Sequence, residues 1–419
     1  MKKIIFALTI IFLVSGCSQT SSTFDLPENQ GVSSERLDRI DFYLNKAIKD
    51  NQIPGAVALI RRNNKIIYNK AFGYSDVENK IMYSTDDIFR IASMTKAVTS
   101  LAVLMLWEEG KFNLDDPIEK YIPEFKDLKV LTDFNETDST YLSKPAENKI
   151  SIRHLLTHTS GIGYGVIDED ARFKAIYKKQ GIVDLFTTDS INIGSNVKKL
   201  AQLPLHHEPG EAFTYGESLD VLGYFIEVIS QKSLDVFFKE RIFDPLEMND
   251  TYFYLPTTHQ DRLVPVQTKR DGFWTKYQGD FYDTNYPVKG AKTFLSGGAG
   301  LSSTTADYSN FLQMFLNKGS FNDKQILGKK TVELVYVNQN SHIPGSSIGL
   351  AFGLISEKDQ DLGGKGSMGT ITWGGYFNTF YFADPVENII GILYKQTREI
   401  EEEKTNIEFS TLLFQSLIK

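Results

Sequence analysis

A run of apolar residues opens at Arg90 and continues to Trp107, and it has no polar face. Met94, Ala97, Val98, Leu101, Ala102, Leu104, Met105 and Leu106 fall on every side of a helical wheel, and a helix apolar all round is one buried in a core. Glu108, Glu109 and Gly110 end it. Other stretches carry ordinary periods. After Ser33 or Ser34 as a cap, Leu37, Ile40, Leu44, Ala47 and Ile48 share one helical face, and a Pro-Gly break follows at Pro54-Gly55. Residues 56–60 and 65–68 predict two strands joined by a tight turn at Asn63-Asn64. Residues 127–149 are polar and predict a surface insertion, while residues 150–162 predict a short strand edge and a helix.

Farther along, residues 163–205 have weak helical period and suit a lid or pocket wall. Leu222, Phe225, Ile226 and Ile229 mark the buried side of a helix that begins just after Tyr215. Long loops are expected over 251–292, a tight backbone passage at Gly297-Gly298-Ala299-Gly300-Leu301, and a helix over 308–316. Residues 349–355, 371–382 and 389–394 predict strands, with Asp384-Pro385 as the turn between the last two. Residues 405–417 predict an amphipathic helix through Ile407, Leu412, Leu413 and Leu417. Strands near both ends with helices between them predict an α/β fold whose sheet is built from the N- and C-terminal segments, around a mostly helical subdomain at about 97–300.

Composition narrows the possible functions. The 419 residues are 41% hydrophobic and 23% charged, with 45 basic against 53 acidic residues and a net charge of −8. That balance argues against a nucleic-acid partner. Lys2 and Lys3 precede an apolar run over residues 4–14, the pattern of an export signal. Val14-Ser15-Gly16-Cys17 resembles a bacterial lipobox. The expected organisation is therefore a signal peptide over 1–16, a tether over 17–34 anchored to a membrane by acylation of Cys17, and one folded domain over 35–419. Cys17 is the only cysteine, so disulfides and cysteine-based metal or redox sites are excluded.

The candidate chemistry lies at the start of the buried helix, in Ser93-Met94-Thr95-Lys96. Residues three apart lie on one helical face, so the Lys96 amine falls within reach of the Ser93 hydroxyl. A serine becomes a nucleophile when a base takes its proton, and a lysine serves as that base if its surroundings keep it neutral. A helix N-terminus also favours a developing negative charge. His154 and His158 have i, i+4 spacing, but no Glu follows His154 and no third ligand is evident, so a metal is not expected.

Together these pieces resemble the β-lactamase-related serine hydrolases: class C β-lactamases, D,D-carboxypeptidases and esterases of that fold. Phe89-Arg90-Ile91-Ala92 before the Ser-x-x-Lys motif, Leu155-Leu156-Thr157-His158-Thr159-Ser160-Gly161 and residues 297–301 all fit the family pattern. The resemblance implies a β-lactamase/penicillin-binding-protein-like fold with Ser93, Lys96 and Tyr215 catalytic. Tyr215-Gly216-Glu217 stands where the family has Tyr-x-Asn, so Glu217 replaces an amide that would bind substrate. A carboxylate there could pair with Lys96 and shift the base role to Tyr215. Trp373-Gly374-Gly375 stands at the third motif, in the form of the esterase branch, and would line the substrate site. The implied oxyanion hole is the backbone N–H of Ser93 and of Tyr376. The resemblance implies no cofactor. The expected activity is an acyl-enzyme hydrolase of ester or small amide substrates, with a β-lactamase or D-amino-acid peptidase, or a silent binding protein of the same fold, as alternatives.

Overall fold

The computed structural model describes residues 24–361, 366–400 and 403–419. The expected signal segment and Cys17 lie outside them. In chain order the main elements are α1 (Ser34–Lys49), β1 (Gly55–Arg62), β2 (Lys65–Asp76), β3 (Ile81–Met82), α2 (Thr95–Glu108), α3 (Ser218–Ser230), α4 (Thr305–Leu316), β4 (Gly353–Leu354), β5 (Ile371–Gly375), β6 (Thr379–Asp384), β7 (Ile389–Tyr394) and α5 (Thr405–Gln415). Their strands form one antiparallel seven-stranded sheet in the order β4-β5-β6-β7-β1-β2-β3. The two ends of the chain thus meet at the β7–β1 pair, where Val57 faces Tyr394 and Arg62 faces Ile389.

Both faces of the sheet are covered, which explains why β1 is buried at every position. Val57 and Leu59 point into the core that holds α2, and Ala56, Ala58 and Ile60 point into the layer of Leu37, Ile40 and Leu44 from α1 and Phe409 and Leu413 from α5. This is a period of two read on both sides. Helix α2 is the centre of the larger core: every residue from Thr95 to Leu106 is buried. Ser33 caps α1 by accepting from the Arg36 N–H. Shorter helices, Ile152–Leu156 and Ile193–Leu200, pack with α3, and Ala171–Gln180 adds Phe173, Ile176 and Tyr177 to the same core.

Four expectations need correction. Residues 371–382 are two strands, because Asn378 at φ 66° donates its N–H to Gly375 O and closes a turn that returns the chain as β6. Within 349–355 only Gly353–Leu354 pairs, since the Gly349 N–H bonds to Phe352 O in a local turn. Of the expected face of α5, Leu413 is buried and Leu412 and Leu417 pack against the same core, but Ile407 is 61% exposed and Phe409 takes its place. Part of the expected tether is docked: Phe24 bridges Ile66, the Asp25 N–H bonds to Ile66 O, and Val32 bridges Leu417. The expected surface insertion forms an outlying hairpin, Lys129–Asn135 with Thr140–Pro145. Residues 251–292 include a small hairpin, Gln267–Arg270 with Phe273–Lys276.

Candidate active site

The turn that carries Ser93 is fixed from three directions before the helix begins. Phe89–Arg90 pairs with Ser302–Ser303, and the Ile91 N–H bonds to Leu301 O. Arg90 is 1% exposed and its guanidinium donates to Thr284 O at 2.7 Å and Val264 O at 2.6 Å, so one buried cation ties two distant loops to the turn. Ala92 has φ 42°. A non-glycine residue in that region costs on the order of 1–3 kcal/mol and persists only where the surroundings dictate it. Ser93 then sits in the single turn of 3-10 helix Ala92–Met94 that runs into α2.

One turn on, Lys96 is 4% exposed with its amine surrounded by oxygen and aromatic faces. Nζ lies 3.4 Å from Ser93 Oγ, 2.9 Å from the Tyr164 hydroxyl and 2.8 Å from Gly298 O, and 4.7 Å from the centroid of the Tyr215 ring. The Ser93 contact is long for a hydrogen bond, as such contacts often are before substrate binds. The Tyr215 hydroxyl is buried with no hydrogen-bond partner, and its ring packs against His158 at 4.8 Å, Tyr164 at 5.6 Å and Trp373 at 5.9 Å. Burial, followed by the charge of Lys96, holds the His158 imidazole well below its usual range and therefore neutral. Burial, reinforced by Tyr215 and nearby carboxyls, holds the Tyr164 phenol well above its usual range.

Glu217 is placed away from this group. It is 1% exposed, accepts from Asn196 Nδ2 at 3.4 Å, and makes no hydrogen bond or ion pair with Lys96 among the described residues. Burial raises its carboxyl well above the usual range, and a hydrogen bond with Asp184 and the charges of Asp184 and Asp220 add to that. The Lys96 charge, pulling the other way, is the smallest influence. The pairing with Lys96 that the sequence left open is thus absent, and Glu217 does not line the substrate cleft. Asp220, in the first turn of α3, accepts from Ser296 Oγ at 2.6 Å and the Gly298 N–H at 3.2 Å, and so holds the loop whose carbonyl accepts a hydrogen bond from Lys96 Nζ.

The cleft above Ser93 has a volume of about 880 Å³ and is walled by Tyr215, Trp373, Gly374, Gly375, Tyr376 and Arg398. Gly375 is where β5 meets the Ser93 turn: a Cβ there would lie 2.4 Å from Ile91 O and 2.2 Å from Thr379 Oγ1. Gly216 is required for a similar reason, since its Cβ would lie 2.2 Å from Ile162 O. Of the residues singled out from sequence, Ser93, Lys96, Tyr215, Trp373, Gly374, Gly375 and Tyr376 come together, and Cys17 lies outside the described residues. Tyr164 and Arg398 were not foreseen. Tyr164 lies in the stretch expected to form a lid or pocket wall, and its N–H is anchored by Asp168 Oδ2 at 2.9 Å. Arg398 lies 3.5 Å above the Tyr376 ring and donates to Tyr376 O at 3.0 Å. Among the described residues no group of three or more His, Cys, Asp or Glu is placed to hold a metal ion.

The beta-lactamase family model matches residues 40–412, and the model of the prokaryotic membrane lipoprotein lipid attachment site matches residues 1–18. Protein Rv1367c of Mycobacterium tuberculosis is 32% identical over 365 residues, 82% of this chain and 85% of that protein. Esterase EstB of Burkholderia gladioli is 28% identical over 375 residues, 86% of this chain and 90% of that one. The solved structure of EstCE1, a hydrolase with promiscuous acyltransferase activity, aligns with a TM-score of 0.77 at 25% identity and covers 90% of this chain and 98% of its own.

Proposed function

The chain belongs to the beta-lactamase family, and from that premise we propose that it is an esterase-like serine hydrolase in which Ser93 is the nucleophile, Lys96 its base and Tyr215 a proton donor to the leaving group. The lipid attachment site makes it an exported, membrane-anchored lipoprotein. The observation that carries the catalytic reading is the position of the Lys96 amine, 3.4 Å from Ser93 Oγ and otherwise occupied by Tyr164 and Gly298.

Ser93 Oγ attacks the ester carbonyl as its proton passes to Lys96 Nζ. The oxyanion is met by the N–H groups of Ser93 and Tyr376, and the start of α2 adds its positive end. The departing alkoxide takes a proton delivered from Lys96 through the Tyr215 hydroxyl. Water then adds to the acyl-enzyme with the same groups acting in reverse, releasing the acid and restoring Ser93. The choice of Lys96 over Tyr215 as base rests on contact: Lys96 is within hydrogen-bond reach of Ser93 Oγ, whereas the Tyr215 hydroxyl has no hydrogen-bond partner.

The walls of the cleft, Phe213, Tyr215, Trp373 and Tyr376, suit an ester with an apolar or aromatic group. A short-chain nitrophenyl ester should be hydrolysed by the purified protein, and Ser93→Ala should lose more than about 10⁴-fold in kcat. Retained turnover in that variant would sink the assignment. Stable labelling of Ser93 by a fluorescent penicillin without ester turnover would point to the peptidase reading instead.

A further inference from the structure

The first described residues, from Phe24 on, and the cleft lie at opposite ends of the same strands. Arg62, 6% exposed, gathers one end: it donates to Gln30 O and Gly31 O at 3.0 Å each, to Glu387 O at 3.2 Å and to Lys419 O at 2.8 Å. That single guanidinium joins the segment after the anchor, the β6–β7 turn and the residues after α5. The three segments it joins carry four large exposed apolar side chains: Phe24 (56%), Leu26 (66%), Val386 (70%) and Ile418 (51%). Phe24 and Leu26 are held there by the pairing of Phe24 with Ile66 and by the Gln30 side chain bonding to Asp25.

The cleft is at the other end. It is lined by Tyr376 and Asn378 in the β5–β6 turn, Thr397 and Arg398 beyond β7, and Asn406 at the start of α5. Two rulers separate the ends. Strand β7 runs from Ile389 beside Arg62 to Tyr394 beside Thr379, a length of about 17 Å at about 3.3 Å per residue. Helix α5 and its cap carry the chain from Asn406 in the cleft wall to Ser416, whose carbonyl accepts from the Ser33 N–H, about 15 Å at about 1.5 Å per residue.

Only six residues, 18–23, separate Cys17 from Phe24. Even fully extended they hold Phe24 no farther than about 25 Å from an acylated Cys17. We infer that the face formed by Phe24, Leu26, Val386 and Ile418 rests on the lipid bilayer that holds the anchor, so that the catalytic cleft opens away from the membrane and draws its substrate from the aqueous side. A short tether confines the face near the bilayer, and apolar side chains entering the headgroup layer supply the attraction. This rests on acylation at Cys17 and is independent of which acyl group Ser93 accepts.

The test uses full-length acylated protein in vesicles of phosphatidylglycerol and phosphatidylethanolamine carrying a doxyl-labelled lipid. Acylation consumes the native thiol, so Val386→Cys and Ile418→Cys can each be labelled with an environment-sensitive fluorophore. Met82→Cys and Phe273→Cys serve as controls, because those residues are 57% and 75% exposed and lie toward the cleft end of the sheet. Labels at 386 and 418 should be quenched at least about threefold more than labels at 82 and 273. Leu26→Glu should reduce the quenching at 386 while leaving turnover of a soluble nitrophenyl ester unchanged, which also shows that the protein is folded. Equal quenching at all four positions, stronger quenching at 82 or 273, or no response to Leu26→Glu would overturn the inference.

Discussion

Gly375 and Gly374 are adjacent, yet a methyl group has very different consequences at each. At Gly375 the new Cβ would meet Ile91 O at 2.4 Å and Thr379 Oγ1 at 2.2 Å, whereas at Gly374 the nearest atom is Thr379 O at 3.3 Å. The Thr379 side chain can rotate away. Ile91 O cannot, because the Ile91 N–H is held by Leu301 O and Ile91 O itself accepts from the Met94 N–H. Restoring an ordinary non-bonded separation of about 3.4 Å requires β5 and the Ser93 turn to part by about 1 Å. That movement separates the two N–H groups proposed to share the oxyanion, one on each side of the contact. A displacement of this size costs roughly 10²-fold in rate, or about 2.7 kcal/mol of barrier, and overpacking costs about 1–3 kcal/mol of stability. Gly375→Ala should therefore lose about 100-fold in kcat for a nitrophenyl ester, and Gly374→Ala should stay within about threefold of the parent. Thermal unfolding of both variants separates the rate effect from loss of fold. If Gly375→Ala keeps its rate while remaining folded, or if both variants lose equally, the oxyanion geometry argued here is wrong.

Tyr164→Phe removes the phenol 2.9 Å from Lys96 Nζ, and the loss of that hydrogen bond should lower kcat by about 10- to 30-fold with little change in KM; an unchanged kcat would exclude Tyr164 from holding the lysine. The Glu217 carboxyl is raised in the folded state, by burial first and by Asp184 next, so the stability it contributes is complete below the unfolded value of 4.5 and is lost as pH rises through the folded value. Glu217→Gln should gain stability relative to the parent as pH is raised from 5 to 9, read by thermal unfolding, and a difference that does not change with pH would contradict this. Burial likewise pushes the Asp307 carboxyl from 3.8 up to about 6, against hydrogen bonds from the Asp250 N–H and the Thr251 hydroxyl. That shift corresponds to about 3 kcal/mol lost between pH 4 and neutrality. Asp307→Asn should accordingly be more stable than the parent at pH 8 by about 1–3 kcal/mol and no more stable at pH 4, checked by denaturant titration at both pH values.

The parts of the fold that could be read from sequence are those where one local pattern leaves a single solution. Helix α2 is apolar all round and is buried all round; residues 56–60 of β1 and the whole of β7 are unbroken apolar runs and lie at the centre of a sheet covered on both faces. The Ser93–Lys96 spacing was legible as one helical face, and Trp373-Gly374-Gly375 only through its resemblance to the family's third motif. Failures came where a side chain had two places to go. Glu217 occupies the position before α3, from which a carboxyl can reach either toward Lys96 or toward Asn196 on the neighbouring helix. No spacing rule decides between them. Tyr164 is brought to Lys96 by backbone bonds to Asp168 and by Asp184, which accepts from the Gly165 N–H at 2.8 Å. Such loop anchors have no period and so leave no trace in a hydrophobic pattern. The turn at 376–378 was missed because Tyr376 and Phe377 look like strand residues, and only Asn378 signals the reversal.

The replacement of the family's amide by Glu217 has a physical resolution in this arrangement. An ionised carboxylate beside Lys96 would hold the amine charged and deny it a base's role. Burial instead raises the Glu217 carboxyl well above its usual range and a hydrogen bond turns it toward Asp184, while Tyr164 and His158 are held neutral around the amine. Asp220, whose carboxyl is likewise raised by burial, meets the Gly298 loop through Ser296 and the Gly298 N–H, not through Lys96. Lys96 is therefore surrounded by dipoles and aromatic faces, with its nearest carboxyls spent on other partners. The substitution that seemed to threaten the mechanism thus acts one layer farther out, on the loop that positions Tyr164.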